Sequence, residues 1–171
     1  MAVEDIFDVV NERDEVIDRL PRKEVHARSL FHRAVHVWIF NSRGQLLIQK
    51  RSPAKDLHPN VWDCSTSGHV DSGESYATAV DREIGEEIGL VPAPELKELG
   101  KTQPVAVTGH EFIVVYRGES EGPFQPCPKE ISEVKWVDTE MLTLWMEKEP
   151  GDFSPAFRAI WLNWHYNGVI W

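Results

Sequence analysis

Three glutamates spaced for one face of a helix are the residues of this chain best suited to chemistry. Glu83, Glu86 and Glu87 stand at positions i, i+3 and i+4, which an α-helix brings to the same side. Like charges at this spacing destabilise a helix modestly unless a hard cation such as Mg²⁺ or Mn²⁺ lies between them. A solvated acidic surface is the commoner fate of such a cluster, so the glutamates alone do not establish a metal site.

The residues before and after the cluster favour the metal site. From Gly68 through Glu74 to Leu90 the chain fits the pattern G-x5-E-x7-R-E-U-x-E-E-x-G-U at every fixed position, where U is a bulky aliphatic residue. That pattern is the Nudix box, so the chain resembles the Nudix hydrolase superfamily. The start of the box also has the spacing of a phosphate-binding P-loop. Glu74 stands where the P-loop requires lysine, however, and it would repel phosphate.

The resemblance implies roles for the residues of the box. Glu83, Glu86 and Glu87 would be metal ligands together with the backbone carbonyl of Gly68, and Mg²⁺ or Mn²⁺ would be the cofactor. Glu83, Arg82 and Glu87 would be the catalytic residues, with Glu83 as a possible base that Arg82 orients. The bound cations would neutralise a diphosphate and activate a water for in-line attack on phosphorus. Glutamates with an ordinary pKa of about 4.3 would be ionised at neutral pH.

The pattern of the remaining chain predicts the elements that position the box. Residues 75–88 form the clearest helix, with one apolar side and Gly89 at its end. Gly85 lies inside this helix, so we expect its missing side chain to let another group approach closely. Strands are predicted at residues 6–10 and 16–20 (a hairpin), 33–40, 45–50, 62–65, 98–105, 111–116 and 133–137, and further helices at 140–146 and 155–164.

This order of elements predicts one domain with a mixed β-sheet packed between helices. The resemblance implies the same architecture, an α/β/α sandwich of the Nudix type. We therefore expect a single domain over residues 1–171, with residues 1–30 as an N-terminal hairpin extension and residues 68–90 as the box.

The segments beside the box resemble one branch of the superfamily, that of isopentenyl diphosphate isomerase and the hydrolases closest to it. The resemblance runs through residues 46–52, Lys55, Pro59, 61–62 and 68–69. Arg51 and Lys55 match positions that contact the diphosphate in the isomerase. They are therefore candidates for a phosphate clamp, and ordinary solvated basic residues are the alternative.

Three departures from the isomerase favour hydrolysis over isomerisation. Ser67 stands where the isomerase has a cysteine that acts in proton transfer. Glu83 stands where the isomerase has an arginine, and Glu86 where it has a non-acidic residue. An isomerase-like enzyme is therefore kept only as the alternative function.

Part of a histidine-rich metal site of the isomerase is also present. His32, His69 and Glu111 match its members, whereas His26 is displaced by one residue and Gly109 replaces an acid. His32 and His69 could thus belong to a second metal site for Zn²⁺ or Mn²⁺. We favour the alternative, in which they are hydrogen-bonded loop or strand-edge residues.

Other residues leave more than one interpretation open. An additional glutamate from outside the box could act as base or ligand, and Glu111, Glu130 and Glu133 are the candidates. His36 lies in an apolar strand and is expected to be a core histidine with its hydrogen bonds satisfied. The C-terminal tryptophans could form a stacking pocket or an oligomer interface, but packing is the favoured role. They are Trp145, Trp161, Trp164 and Trp171.

The overall composition narrows the partners. A net charge of −10 provides no basic footprint, so no nucleic acid polymer is expected as a partner. The two cysteines form no metal-binding pair in the sequence, and we expect reduced thiols in a cytoplasmic protein that does not engage a membrane. We expect a small-molecule substrate, a nucleoside diphosphate or its derivative, and a homodimer is possible.

Overall fold

A mixed β-sheet with helices on both faces forms the body of the protein. The computed structural model describes residues 4–170. Its strands are β1 (Ile6–Val10), β2 (Val16–Pro21), β3 (His32–Phe40), β4 (Leu46–Arg51), β5 (Trp62–Asp63), β6 (Thr66–His69), β7 (Leu96–Lys101), β8 (Glu111–Glu119) and β9 (Ile131–Val137). Its helices are α1 (Arg22–Ala27), α2 (Tyr76–Ile88), α3 (Thr139–Lys148) and α4 (Pro155–Asn167), with short 3₁₀ turns at Ala106–Thr108 and Pro150–Asp152.

Strand β3 is the centre of the main sheet. It pairs in parallel with β8 and antiparallel with β4 and β6, which occupy opposite halves of its other edge. Beyond them, β7 continues from β8, and β5 and β9 pair with β4. The parallel pair beside antiparallel pairs confirms the predicted mixed sheet.

The two faces of β3 enter different cores. Ala34, Trp38 and Phe40 pack on the side of α3 and α4, whose buried residues include Leu142 and Trp161. The alternate residues Val35, Val37 and Ile39 pack on the other side, against the apolar stripe of α2. Because a strand sends alternate side chains to opposite faces, a strand that is apolar throughout needs cover on both. The α/β/α sandwich is thereby confirmed.

Helix α2 has the predicted extent because a capping residue is present at each of its ends. Ser75 caps it by accepting a hydrogen bond from the Thr78 amide at 3.1 Å. Gly89 ends it in the left-handed conformation at φ +63°, where a side chain would also clash with Gln125. The expectation for Gly85 is wrong, since a Cβ there would meet only Val91 Cγ2, at 3.7 Å.

The predicted strand at residues 62–65 is wrong in its extent. Strand β5 stops at Asp63, and the separate strand β6 follows at residues 66–69. The interruption arises at Ser65, whose buried hydroxyl accepts from the Ile39 amide at 2.8 Å and donates to the Leu47 carbonyl at 2.6 Å. This side chain replaces backbone pairing where β3 and β4 diverge.

The N-terminal hairpin is present and docks on the sandwich, and the unpredicted helix α1 follows it. Asp14, in the turn of the hairpin, accepts from Arg33 Nε at 2.6 Å and from the Tyr76 hydroxyl at 2.8 Å. Asp8 on β1 accepts from the Ser72 hydroxyl at 2.7 Å. The beginning of the predicted extension, at residues 1–3, and Trp171 lie outside the described residues. Within residues 4–170, every helix is too short or too polar to cross a membrane.

Candidate active site

Gly68 allows Glu83, the first of the three clustered glutamates, to lie flat against the sheet. The carboxyl group of Glu83 rests on β6 so closely that a Cβ at position 68 would lie 2.1 Å from Glu83 Cδ. Any side chain larger than hydrogen would therefore displace this carboxylate. The glycine of the box is needed here for close packing, because its φ lies outside the left-handed region.

Arg82 is held from two sides and fixes Glu83. Its Nε and Nη2 atoms each donate to the Glu74 carboxylate at 2.9 Å, and Nη2 also donates to the His69 carbonyl at 3.0 Å. Its Nη1 atom donates to Glu83 Oε1 at 2.7 Å. Three separate segments of the box are joined through one guanidinium, whose planar fork suits several acceptors at once.

Glu87 is buried and hydrogen-bonded through a single oxygen. Its Oε2 atom accepts from Gln49 Nε2 at 2.8 Å, from the Ser67 amide at 3.1 Å and from the Thr66 hydroxyl. Among the described residues, no donor engages its Oε1 atom, which leaves that oxygen for a cation. Gln49 was missed by the sequence reasoning, although a glutamine within an apolar strand is a signal that could have identified it.

The three box glutamates differ in exposure, and burial raises the pKa of two of them. Burial, followed by the charge of Glu87, raises the pKa of Glu83 to about 8 against the opposing effect of Arg82. Burial likewise raises the pKa of Glu87. Glu86 is open to solvent, with 62% of its side chain exposed. The expectation of an ordinary pKa is therefore wrong for Glu83 and Glu87.

This donor set fits a hard divalent cation. The charges of Glu87 and Glu86 raise the pKa of the buried Glu83 carboxyl in spite of Arg82, so a further positive charge would be favourable here, and carboxylate oxygens are the preferred ligands of Mg²⁺ and Mn²⁺. Glu83, Glu86 and Glu87 would hold such an ion at the wall of a cleft of about 860 Å³, which Gly68 also lines.

The two candidate clamp residues also line this cleft. Arg51 donates through Nε to the His58 carbonyl at 3.0 Å and through Nη2 to the Leu57 carbonyl at 2.9 Å. Lys55 pairs with the carboxylate of Glu130. Both basic side chains thus have protein partners, and a phosphate would have to share or replace these contacts.

The three candidates for an additional glutamate occupy different places. Glu111 and Glu130 line the cleft. Glu133 is exposed on β9, opposite Lys50, and is not among the residues lining the cleft. The geometry thereby reduces the choice to Glu111 and Glu130.

A histidine cluster at one end of the cleft surrounds Glu111. Its Oε1 atom lies 2.9 Å from His69 Nε2 and 3.2 Å from His32 Nε2, while His32 Nδ1 lies 2.8 Å from the Leu30 carbonyl. Burial raises the pKa of Glu111, but the charges of both histidines hold it well below its usual range. His26 approaches despite its displacement in the sequence, so four ligand atoms lie within 4.8 Å of one another.

An ion pair that the sequence reasoning missed connects the two rims of the cleft. Arg22, at the start of α1, contacts both carboxylate oxygens of Asp56 at 2.6 and 3.1 Å. Arg22 lowers the pKa of Asp56 to about 2. The pair ties the N-terminal region to the loop that carries Lys55. Neither residue is part of a recognisable pattern, and they are 34 positions apart.

Comparisons with known proteins agree with this geometry. The NUDIX domain family matches residues 30–157. A Nudix hydrolase of Deinococcus radiodurans is 37% identical over 156 residues, covering 89% of this chain and 91% of that protein. An isopentenyl-diphosphate Delta-isomerase of Serratia proteamaculans is 32% identical over 163 residues, covering 92% of this chain and 90% of that protein.

Solved structures give the same result. The crystal structure of DR0079 from Deinococcus radiodurans is 36% identical, covers 84% of this chain and 89% of that chain, and has a TM-score of 0.76. Because the family spans most of the chain and its relatives match almost from end to end, the protein belongs to the NUDIX domain family and is a Nudix hydrolase from the branch near isopentenyl diphosphate isomerase.

Proposed function

We propose that this protein is a Mg²⁺- or Mn²⁺-dependent hydrolase that cleaves the diphosphate linkage of a nucleoside diphosphate or a nucleoside diphosphate derivative. One observation carries the proposal: Glu83, Glu86 and Glu87 converge at the cleft wall, while Arg51 and Lys55 line the same cleft. Carboxylates alone would repel a diphosphate. Carboxylates that hold a cation, with basic side chains in the same cleft, can bind one.

In this proposal the residues of the box hold and orient the reacting groups. Bound divalent ions would supply charge neutralisation of the diphosphate and lower the pKa of a water. Arg82 positions the Glu83 carboxylate through the contact at 2.7 Å, and Glu87 is fixed by its three donors. Catalysis of phosphoryl transfer depends mainly on positioning and charge stabilisation, which are the tasks that these contacts serve.

Arg51 and Lys55 are proposed to bind the outer phosphate oxygens. Lys55 would exchange its contact with Glu130 for a phosphate, which releases Glu130 into the cleft as a candidate base. Glu111 is the competing candidate, but its carboxylate is engaged by His32 and His69. We therefore favour Glu130 over Glu111 for a role at the water.

The isomerase alternative retains one supporting observation. His26, His32, His69 and Glu111 gather at the end of the cleft, and this set could hold Zn²⁺ or Mn²⁺ as a second metal site. Ser67, at the cleft in place of the isomerase cysteine, opposes that function, since a serine hydroxyl is a much weaker acid than a thiol. The histidine metal site therefore stays a hypothesis that the sequence did not favour, and it does not alter the proposed hydrolysis.

The test is a metal-dependent screen of nucleoside diphosphates, nucleotide sugars, dinucleotides and isoprenoid diphosphates, scored for released phosphate or mononucleotide. ADP-ribose belongs in the panel because the NUDIX domain of Shewanella oneidensis NrtR, which shares this fold at 20% identity, has been solved in complex with it. Isomerisation of isopentenyl diphosphate is scored in parallel. Isomerisation without hydrolysis of any substrate would refute the proposal.

Two variants on α2 distinguish the loss of a metal ligand from a general effect on the helix. Glu86→Gln is expected to lower turnover by at least about 100-fold, because it removes a charged ligand while keeping its size. Asp81→Asn is the control, since Asp81 is exposed on the same helix and outside the cleft. Turnover of Glu86→Gln at the rate of Asp81→Asn would contradict the metal assignment.

A further inference from the structure

A further group of buried side chains lies next to the cleft, made of His36 and Asp63, which line it, and Cys64. His36 is 5% exposed, Asp63 4% and Cys64 fully buried. One ligand atom from each lies within 4.8 Å of the others. This group is separate from the box glutamates and from the histidine cluster around Glu111.

The fold brings the three residues together from different strands. His36 is in the middle of β3, on the side of Ala34 and Trp38, which faces α3 and α4. Asp63 ends β5, and Cys64 follows in the link to β6, where it packs in the same core. Helix α2 and its glutamates cover the opposite face of the sheet.

The hydrogen bonding of the group is incomplete. We expected the hydrogen bonds of His36 to be satisfied, and this was wrong: its buried Nδ1 atom has no hydrogen-bond partner among residues 4–170. Asp63 accepts the Cys64 amide on Oδ1 at 2.8 Å and forms an ion pair through Oδ2 with Arg51 Nη1 at 3.6 Å, and the Cys64 thiol donates to the Thr66 carbonyl at 3.2 Å, so His36 is the member of the group that lacks a partner. Buried polar groups are almost always paired, so an unpaired imidazole beside a carboxylate and a thiol needs an explanation.

We propose that His36, Asp63 and Cys64 form a binding site for a zinc-class transition metal ion. Imidazole nitrogen, carboxylate oxygen and thiolate sulfur are the three donor types that Zn²⁺ takes from proteins. Bond lengths of about 2.0–2.3 Å place the ligand atoms of a tetrahedral zinc about 3.3–3.7 Å apart. Small side-chain rotations within the present spacing would reach that geometry.

The site would differ from the box in both metal preference and access. The box offers oxygen ligands, which select Mg²⁺ and Mn²⁺, whereas nitrogen and sulfur ligands favour zinc. His36 and Asp63 line the cleft, so a fourth position would open towards it, as in zinc sites that bind water or a substrate group. As the sulfur–metal bond forms, the Cys64 S–H bond and its hydrogen bond to the Thr66 carbonyl break, and the proton leaves for solvent through the cleft that His36 and Asp63 line. Burial, which raises the pKa of the Cys64 thiol, and the positive charge of Arg51 both oppose this step.

Cobalt substitution of the full chain tests the proposal without reference to enzymatic activity. Co²⁺ replaces Zn²⁺ in such sites and gives a thiolate-to-metal charge-transfer absorption when sulfur is a ligand. In the wild-type protein this absorption is expected to reach its maximum when one Co²⁺ ion per chain is bound to the thiolate. Added Zn²⁺ is expected to displace that ion and remove the absorption. Cys64→Ser should remove it and weaken binding at this site by at least about 100-fold.

Matched variants separate this site from the other two metal candidates. Cys127→Ser, which removes the other cysteine, should leave the absorption unchanged, and so should Glu86→Gln and His32→Asn. His36→Gln should lower the affinity for Co²⁺ while leaving the folded circular dichroism spectrum intact, which keeps the test decisive if Cys64→Ser does not fold. The proposal is overturned if wild type shows no thiolate absorption at saturating Co²⁺, or if Cys127→Ser rather than Cys64→Ser removes it.

Discussion

Gly68→Ala is the change that tests most directly how the active site is built. The new Cβ would lie 2.1 Å from Glu83 Cδ, whereas ordinary contacts begin at 3.4 Å. The Glu83 carboxylate must therefore move by about 1.3 Å, and it leaves its place beside Arg82. A misplacement of about 1 Å costs about 100-fold in rate, so we expect turnover to fall by about 100-fold, or about 2.7 kcal/mol of activation free energy.

The fold should tolerate this change. The backbone of Gly68 is outside the left-handed region, and the group that must move is the end of a flexible side chain. We expect the free energy of unfolding to fall by about 1 kcal/mol, close to the net value of one hydrogen bond. Urea unfolding measures this loss, and steady-state hydrolysis of the substrate found in the screen measures turnover.

Gly85→Ala is the matched control, because Gly85 lies in the same box but has room for a methyl group. Its nearest contact would be Val91 Cγ2 at 3.7 Å, and alanine should stabilise α2 by up to about 1 kcal/mol without affecting turnover. A double variant with Glu83→Gln adds a stricter test. If Gly68→Ala acts through Glu83, the double variant should be no slower than Glu83→Gln alone. Equal turnover of Gly68→Ala and Gly85→Ala would refute the reasoning.

Two further predictions concern ion pairs outside the acidic cluster. Asp14→Asn weakens the buried contact with Arg33, while asparagine still suits the left-handed backbone conformation of this turn. We expect the free energy of unfolding, measured in urea, to fall by about 2 kcal/mol. Asp18→Asn, at an exposed position, is the control. Asp56→Asn removes the ion pair with Arg22. Because the Asp56 side chain is 60% exposed, we expect the free energy of unfolding to fall by at most about 1 kcal/mol. Because the pKa of Asp56 is lowered to about 2, its stabilisation is complete above about pH 4 and is lost as the pH falls through about 2. A difference between wild type and Asp56→Asn that is constant from pH 7 to pH 2 would contradict that assignment.

The sequence predicted the fold well where local signals and burial agree. The limits of α2 follow from Ser75 and Gly89, and β3 could be assigned because it is apolar on both faces. Strand β6 was missed because four residues of serine, threonine, glycine and histidine have no strand-like alternation. Its position depends on pairing with β3, whose partner residues lie 29 to 35 positions earlier, so the pairing is not visible in a local pattern.

The site was predictable as far as its residues belong to a contiguous motif. Arg82 and the three glutamates could be named because one helix and its flanking loop carry them all. The polar Gln49 in an apolar strand was a signal, but its partner Glu87 was not, and the hydrogen bonding of His36 was predicted wrongly, because each acquires its environment only when distant strands meet. The raised pKa of Glu83 was hidden as well, because its largest cause is burial, which depends on the fold, although the neighbouring charge of Glu87 also raises it.

Strand β6 is the element that joins these separate parts. The Ser67 amide donates to Glu87, Gly68 makes room for Glu83, and His69 supplies a carbonyl to Arg82 and its ring to Glu111. Because side chains alternate along a strand, residue 68 faces α2 while residues 67 and 69 face the other side of the sheet. A shift of one residue in its pairing with β3 would place a serine or histidine side chain under Glu83 and turn His69 away from Glu111. The register of this short strand therefore determines both the acidic cluster and the histidine cluster, which explains why the box begins at a glycine outside its helix.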